Sequence, residues 1–209
     1  MKIDMNDMLG SILDSLSKIS YVKADEIPNI DLYMDQVTTF MDEQLASTKR
    51  YEEDKILTKT MINNYAKNNL IPPPVKKKYS KEHILVLLFV YYFKNILSIK
   101  DIEAVLKPLT DRYFNTDHAM KMSDVYREVC DLEQSEIESL QNDIKEKYAQ
   151  SNATFADAPE EDREYLRLFA FICQLSFDIY VRQLLIEKII DTFPDDSKND
   201  ENISKKGKK

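Results

Sequence analysis

The sequence predicts an all-α protein, and three observations carry that reading. Glycine is nearly missing, with Gly10 and Gly207 the two in 209 residues. Parallel-sheet enzymes and tight hairpins need glycine where the backbone takes a positive φ or approaches phosphate closely. Apolar residues recur at helical spacing through most of the chain. Ser, Thr and Pro stand where such stretches begin and stop.

Taken in order, residues 4–19 read as a short amphipathic helix, with Met5, Met8, Leu9, Ile12, Leu13, Leu16 and Ile19 on one stripe. A linker follows around Val22 to Pro28. Asp31 to Leu45 is a second helix, with Leu32, Met34, Val37, Phe40, Met41 and Leu45 apolar, and Ala46 to Lys55 is a polar extension or long turn. Thr58 caps a helix running to about Asn69, which Pro72-Pro73-Pro74 stops and a left-handed Asn69 closes. Ser80 caps the next helix, to about Asn95. Ser98 and Asp101 form a capping box for a short helix to Leu106, which Pro108 closes. One long polar helix spans roughly Asp117 to Gln150, its inner stripe being Met122, Val125, Val129, Leu132, Ile137, Leu140 and Ile144. After a loop from Ser151 to Pro159, a last helix runs from Glu160 to Phe193, and the charged tail from Pro194 is expected to be disordered.

Hydrophobic residues at 43% and charged residues at 32% suit a globular chain of one generous or two small domains. Asp4 and Asp7 are wrong for a secretory signal, and the longest apolar run, Ile84 to Phe93, is too short for a bilayer. Cys130 and Cys173 have no metal-ligand spacing and read as buried thiols. A cytoplasmic location without membrane attachment follows as the expectation.

The net charge of −8 hides an uneven distribution. Between Lys55 and Lys81 stand seven lysines and no Asp or Glu, a basic segment in an acidic body. Such a footprint says more about partners than the total does. Catalysis finds little to use. There are two histidines, His83 and His118, no metal-ligand cluster, and none of the glycine-dependent nucleotide or nucleophile motifs. No enzyme activity, cofactor or metal is expected.

The helix after Thr58 is the informative one. Met61, Ile62, Tyr65 and Ala66 share one face, while Thr60, Asn63, Asn64 and Lys67 share the other. Asn can bond adenine N6 and N7 together in the major groove. Lysines nearby, here Lys59 and Lys76, Lys77 and Lys78, suit phosphates, which set position while bases specify. A solvated helix face followed by a basic linker would have the same pattern.

The run Leu57-Thr58-x-x-Met61-Ile62-Asn63-Asn64-Tyr65-x-Lys67-x-Asn69-Leu70-Ile71-Pro72-Pro73 resembles the recognition helix of the MerR family, V-S-x-x-T-L-R-Y-Y-E-x-x-G-L-(L/I)-P-P. Tyr79-Ser80 and Leu97-Ser98-Ile99-x-Asp101-Ile102-x-x-x-Leu106 resemble that family's Y-S/T and G-F-S-L-x-E-I-x-x-L-L. The run from Leu57 to Ser80 is also similar to the hallmark of a bacterial family known as a domain of unknown function, number 1836. The MerR resemblance implies a helix-turn-helix that binds double-stranded DNA. Its contact set would be Thr58, Lys59, Thr60, Asn63, Asn64, Tyr65, Lys67, Lys76, Lys77, Lys78 and Tyr79, with Tyr65 either touching the DNA backbone or packing inside. Asn63 and Asn64 replace the family's arginine and first aromatic, and Asn69 its glycine. The wing between Pro73 and Tyr79 is some five residues short and lacks an Asn-Gly turn. A simple loop carrying three lysines is therefore expected in place of a regular two-stranded wing.

The last helix is apolar around most of its girth, so it must be buried on most sides, within one protomer or in a homodimer. Phe169, Ile172, Phe177, Tyr180 and Leu184 are the expected dimer contacts. The expected organisation is an N-terminal helix and linker (1–30), a MerR-like helix-turn-helix with a short or absent wing (31–107), a C-terminal long-helix bundle (108–193) and a tail (194–209). The expected function is sequence-specific DNA binding as a transcriptional regulator. A helical protein–protein adaptor that does not bind DNA is the alternative, and an effector is not legible.

Overall fold

The structure, a computed structural model, describes residues 5–17 and 21–194. It is all-α apart from one two-stranded sheet. The elements in chain order are α1 (Met5–Ser17), β1 (Leu32–Tyr33), α2 (Met34–Gln44), α3 (Lys59–Lys67), β2 (Lys78–Tyr79), α4 (Lys81–Phe93), α5 (Ile99–Tyr113), α6 (Met122–Ser135), α7 (Ile137–Asn152) and α8 (Glu160–Ile190). The ends of the expected first helix, and the expected tail beyond Pro194, lie outside the described residues.

α4 is the post around which the main core is built. Its apolar run has no polar side, and accordingly residues 83–90 are all buried. Around it gather Val37 and Met41 of α2, Ile62 and Tyr65 of α3, Ile102 and Leu106 of α5, and Met122 and Tyr126 of α6. Each such aliphatic side chain contributes about 1.5–3 kcal/mol by leaving water. The core begins at Val22, before the expected boundary at residue 31, and reaches Tyr126, beyond the one at 107. Tyr126 closes it, its buried hydroxyl donating to the Val22 carbonyl at 2.7 Å. Burial raises that phenol far above its ordinary pKa, so it stays a donor.

Three local expectations are corrected. Pro108 does not end its helix but lies inside α5. The missing amide costs one hydrogen bond there. Leu106 is buried before it, and Leu109 and Tyr113 pack on the main core after it, so burial holds the helix across the break. The long helix from 117 to 150 is two helices that part at Glu136. Turning there lets α6 keep Met122 and Tyr126 in the main core while α7 lies along α8. The expected inner stripe is therefore covered only in part, with Met122 buried but Val129, Leu132 and Leu140 exposed. The pair β1–β2 has no counterpart in the helical reading, because two-residue strands carry no periodicity.

α7 and α8 are held by the Lys147–Asp178 ion pair at 2.9 Å and by Gln174 Nε2 donating to Gln150 Oε1 at 3.2 Å. Phe171 packs edge-on against Tyr148, and with Leu9 and Leu13 of α1 it forms a second, small core. Phe171 and Ile190 are the buried residues of α8, Leu175 packs partly on the small core, and Tyr165, Phe169, Ile172 and Phe177 are exposed. Among the described residues, α8 is also the one helix long and apolar enough to cross a membrane by length and composition.

Candidate nucleic-acid interface

α3 is fixed at both ends by its own sequence. The Thr58 hydroxyl accepts from the Met61 amide at 3.2 Å, satisfying one of the orphan donors of the first turn. At the other end Asn69 sits at φ 56°, the Leu70 amide donates to the Tyr65 carbonyl at 3.0 Å, and the Asn69 amide donates to that of Ala66 at 3.3 Å. This is a Schellman closure with Asn in the place of glycine, and its accompanying apolar contact is between buried Leu70 and Tyr65. With the ends fixed, the inner face follows. Ile62 is fully buried, Tyr65 is 6% exposed, and Met61 and Ala66 pack partly. Thr60, Asn63, Asn64 and Lys67 are all exposed, the division that the spacing predicts.

The segment after Pro74 is not the expected simple loop. Val75 and Lys78 exchange backbone hydrogen bonds at 3.1 and 2.9 Å, closing a two-residue hairpin turn over Lys76 and Lys77. Both lysines take positive φ, 50° and 64°, the signature of a type I′ turn. Lys78 and Tyr79 then pair antiparallel with Tyr33 and Leu32 of β1. A short hairpin therefore exists here without Asn-Gly. Left-handed backbone costs a lysine roughly 1–2 kcal/mol. The buried Tyr79 and the pairing with β1 hold the turn in that conformation.

The lysines divide into committed and open ones. Lys59 forms an ion pair with Asp35 of α2, and the Lys78 ammonium lies over the Tyr33 ring, 5.2 Å from its centre. Lys67, at the last turn of α3, and Lys76 and Lys77, at the hairpin tip, are exposed. Thr58 uses its hydroxyl as a cap, and Asn64 Oδ1 accepts from Asn68 Nδ2 at 3.1 Å. Tyr79 is corrected as a contact residue, and of the two readings of Tyr65 it is the packed one that the structure has. Both rings are in the core, where burial raises their phenols, and they position the face without belonging to it. Tyr33, Asp35 and Asn68 are the neighbours that sequence reasoning missed. Of these, Asn68 was legible, being four residues after Asn64 on the same helix.

His83 ties the hairpin to α4. It is buried, with Phe114 and Tyr79 edge-on to its ring at 4.7 and 5.4 Å. Its Nδ1 accepts from the Ser80 amide at 3.0 Å, so the neutral ring carries its proton on Nε2, which faces the Pro73 carbonyl at 3.4 Å. His83 thus stands where a capping box has Glu or Gln. Burial lowers its pKa below the ordinary 6.5, outweighing the Pro73 carbonyl and Asp31, which raise it. In the unfolded chain it titrates at its ordinary value, so the unfolded state binds the proton first. Stability is then complete above pH 6.5 and is lost as pH falls from there toward the folded pKa, by up to about 1.4 kcal/mol per pH unit. Melting curves between pH 7.5 and 5.5 check this. His83→Gln keeps the capping acceptor and should flatten this component.

The expected dimer residues Phe169, Ile172, Phe177, Tyr180 and Leu184 are all exposed on α8. An open groove of about 330 Å³ lies on α2, lined by Leu32, Asp35, Gln36, Thr39, Phe40 and Glu43 with Pro28.

The profile of a family described as a domain of unknown function, DUF1836, matches residues 22–129. These limits coincide with the main core, which runs from Val22 to Tyr126, and leave α7 and α8 outside. No curated protein and no solved structure matches the chain.

Proposed function

The chain belongs to the DUF1836 family, and we propose that it is a sequence-specific DNA-binding protein, a transcriptional regulator of MerR-like type. On this reading α2 and α3 are the helix-turn-helix, with α3 in the major groove and the Lys76–Lys77 turn as a wing on the backbone. The carrying observation is the exposed polar face of α3, Thr60, Asn63, Asn64 and Lys67, held outward by Ile62 and Tyr65.

Chemistry supports that assignment. Asn63 and Asn64 are short side chains with paired donor and acceptor groups, suited to base edges. Lys67, Lys76 and Lys77 are cations without reading capacity, suited to phosphates. Two lysines held at positive φ on a hairpin tip, where Asn-Gly would be unstrained, point the same way. Local strain is retained where the side chains have a task. The acidic remainder of the surface would repel DNA and confine contact to this segment.

The direct test is selection of bound duplexes from a random pool at low salt. One enriched motif is expected from the wild type. Enrichment no better than that of an unrelated acidic protein would remove DNA binding and leave the helical adaptor.

A further inference from the structure

α4 and α8 are both largely apolar, yet they are treated in opposite ways. α4 is enclosed, whereas α8 lies along α7, meets α5 and buries Ile190 at its end, and leaves much of its remaining apolar surface in water. On the open side Tyr165, Phe169, Ile172, Ser176 and Ile179 follow one another in steps of four, three, four and three, and half-buried Gln183 and exposed Ile186 continue the spacing. That is the spacing of a heptad seam, a stripe that a second helix of the same spacing fills. Tyr180 widens the stripe. Tyr165 and Phe177 are each 68% exposed. Tyr165, Phe169, Ile172, Ile179 and Tyr180 together leave roughly 600 Å² in contact with water, given the area such side chains cover. A monomer's largest apolar patch is about 300–600 Å². A standard interface takes about 800 Å² from each partner.

We propose that α8 packs this seam against α8 of a second copy, antiparallel, crossing near Ser176. The second copy supplies the matching spacing, and the small Ser176 at mid-seam permits close approach. Charge sets the direction. Glu160, Glu161, Asp162 and Glu164 outnumber Arg163 and Arg167 at the start of α8, while Arg182 and Lys188 balance Glu187 and Asp191 toward its end. A parallel pair sets the four acids of one helix beside the same four of the other. An antiparallel pair crossing at Ser176 sets that acidic start beside the balanced end, with Glu164 opposite Lys188. A bilayer is the poorer occupant, because Asp178 and Arg182 interrupt the apolar stretch and Asp178 is already paired with Lys147. The pairing stands independently of DNA binding, since it uses no residue of α3 or the wing.

The test uses the full chain with Cys130→Ser and Cys173→Ser as background. Wild type is expected to sediment at twice its 24.5 kDa at tens of micromolar. Glu164→Cys and Lys188→Cys are then prepared separately, and a short bis-maleimide is added to each alone and to their mixture. Cross-linked dimer is expected in the mixture and in neither variant alone. Cross-linking of each variant with itself would make the pair parallel. A folded monomer at these concentrations, or partition onto neutral phosphatidylcholine vesicles in preference to self-association, would overturn the seam altogether. Ile172→Glu, at an exposed position, should give a monomer with wild-type helicity. Should it instead unfold, the cross-linking pattern decides alone.

Discussion

Raising salt from 50 to 200 mM is expected to weaken binding of the preferred duplex by roughly a thousandfold if the protein binds as a dimer. Lys67, Lys76 and Lys77 are exposed and uncommitted in each protomer, whereas Lys59 and Lys78 are engaged by Asp35 and Tyr33. Six phosphate contacts in a dimer give a slope of log K against log salt near −5, and three in a monomer give about −3. Release of Lys59 from Asp35 on binding would steepen it by about one unit per protomer. Fluorescence anisotropy of a labelled duplex at four or five salt concentrations measures the slope. An affinity flat across that range would mean that the lysines do not meet phosphate.

How much of this was readable in advance depends on how local each cause is. α3 was legible in full, because its cap, its two faces and its left-handed closure at Asn69 all act within four residues. α4 was legible because a uniformly apolar run has nowhere to go but inside. The hairpin after Pro74 reads as a loop in the sequence. Its turn takes its shape from pairing with β1, some forty-five residues earlier, against the intrinsic preference of two lysines. Pro108 was misread because burial of Leu106, Leu109 and Tyr113 outweighs one lost hydrogen bond. The split at Glu136 was not legible either. It reflects two separate packing partners, the main core for α6 and α8 for α7, and partner choice leaves no mark on periodicity. Tyr65 and Tyr79 show the limit for the site. The resemblance placed Tyr79 among contact residues and left Tyr65 between contact and packing, and their environment makes both supports.

Asn63→Ala and Lys77→Gly should fail in different ways. Asn63 is exposed on α3, between buried Ile62 and exposed Asn64. Its removal takes away a base contact, so affinity for the preferred duplex should fall by about 1–3 kcal/mol, roughly 5–150-fold. Affinity for random DNA should hardly change, because that is carried by phosphates. Lys77→Gly removes a cation at φ 64°, a conformation glycine adopts freely, so the turn should persist and stability should rise slightly. Binding should then weaken about equally on preferred and random DNA, and the salt slope should lose about one unit per protomer. Thermal melting separates these effects from unfolding. Ala is the better helix former at an exposed position, so Asn63→Ala should melt no lower than wild type. If both variants bind every duplex as wild type does, α3 does not lie in a groove and the adaptor reading takes its place. If Asn63→Ala costs as much on random DNA as on the preferred site, the residue touches phosphate, and base reading must pass to Thr60 and Asn64.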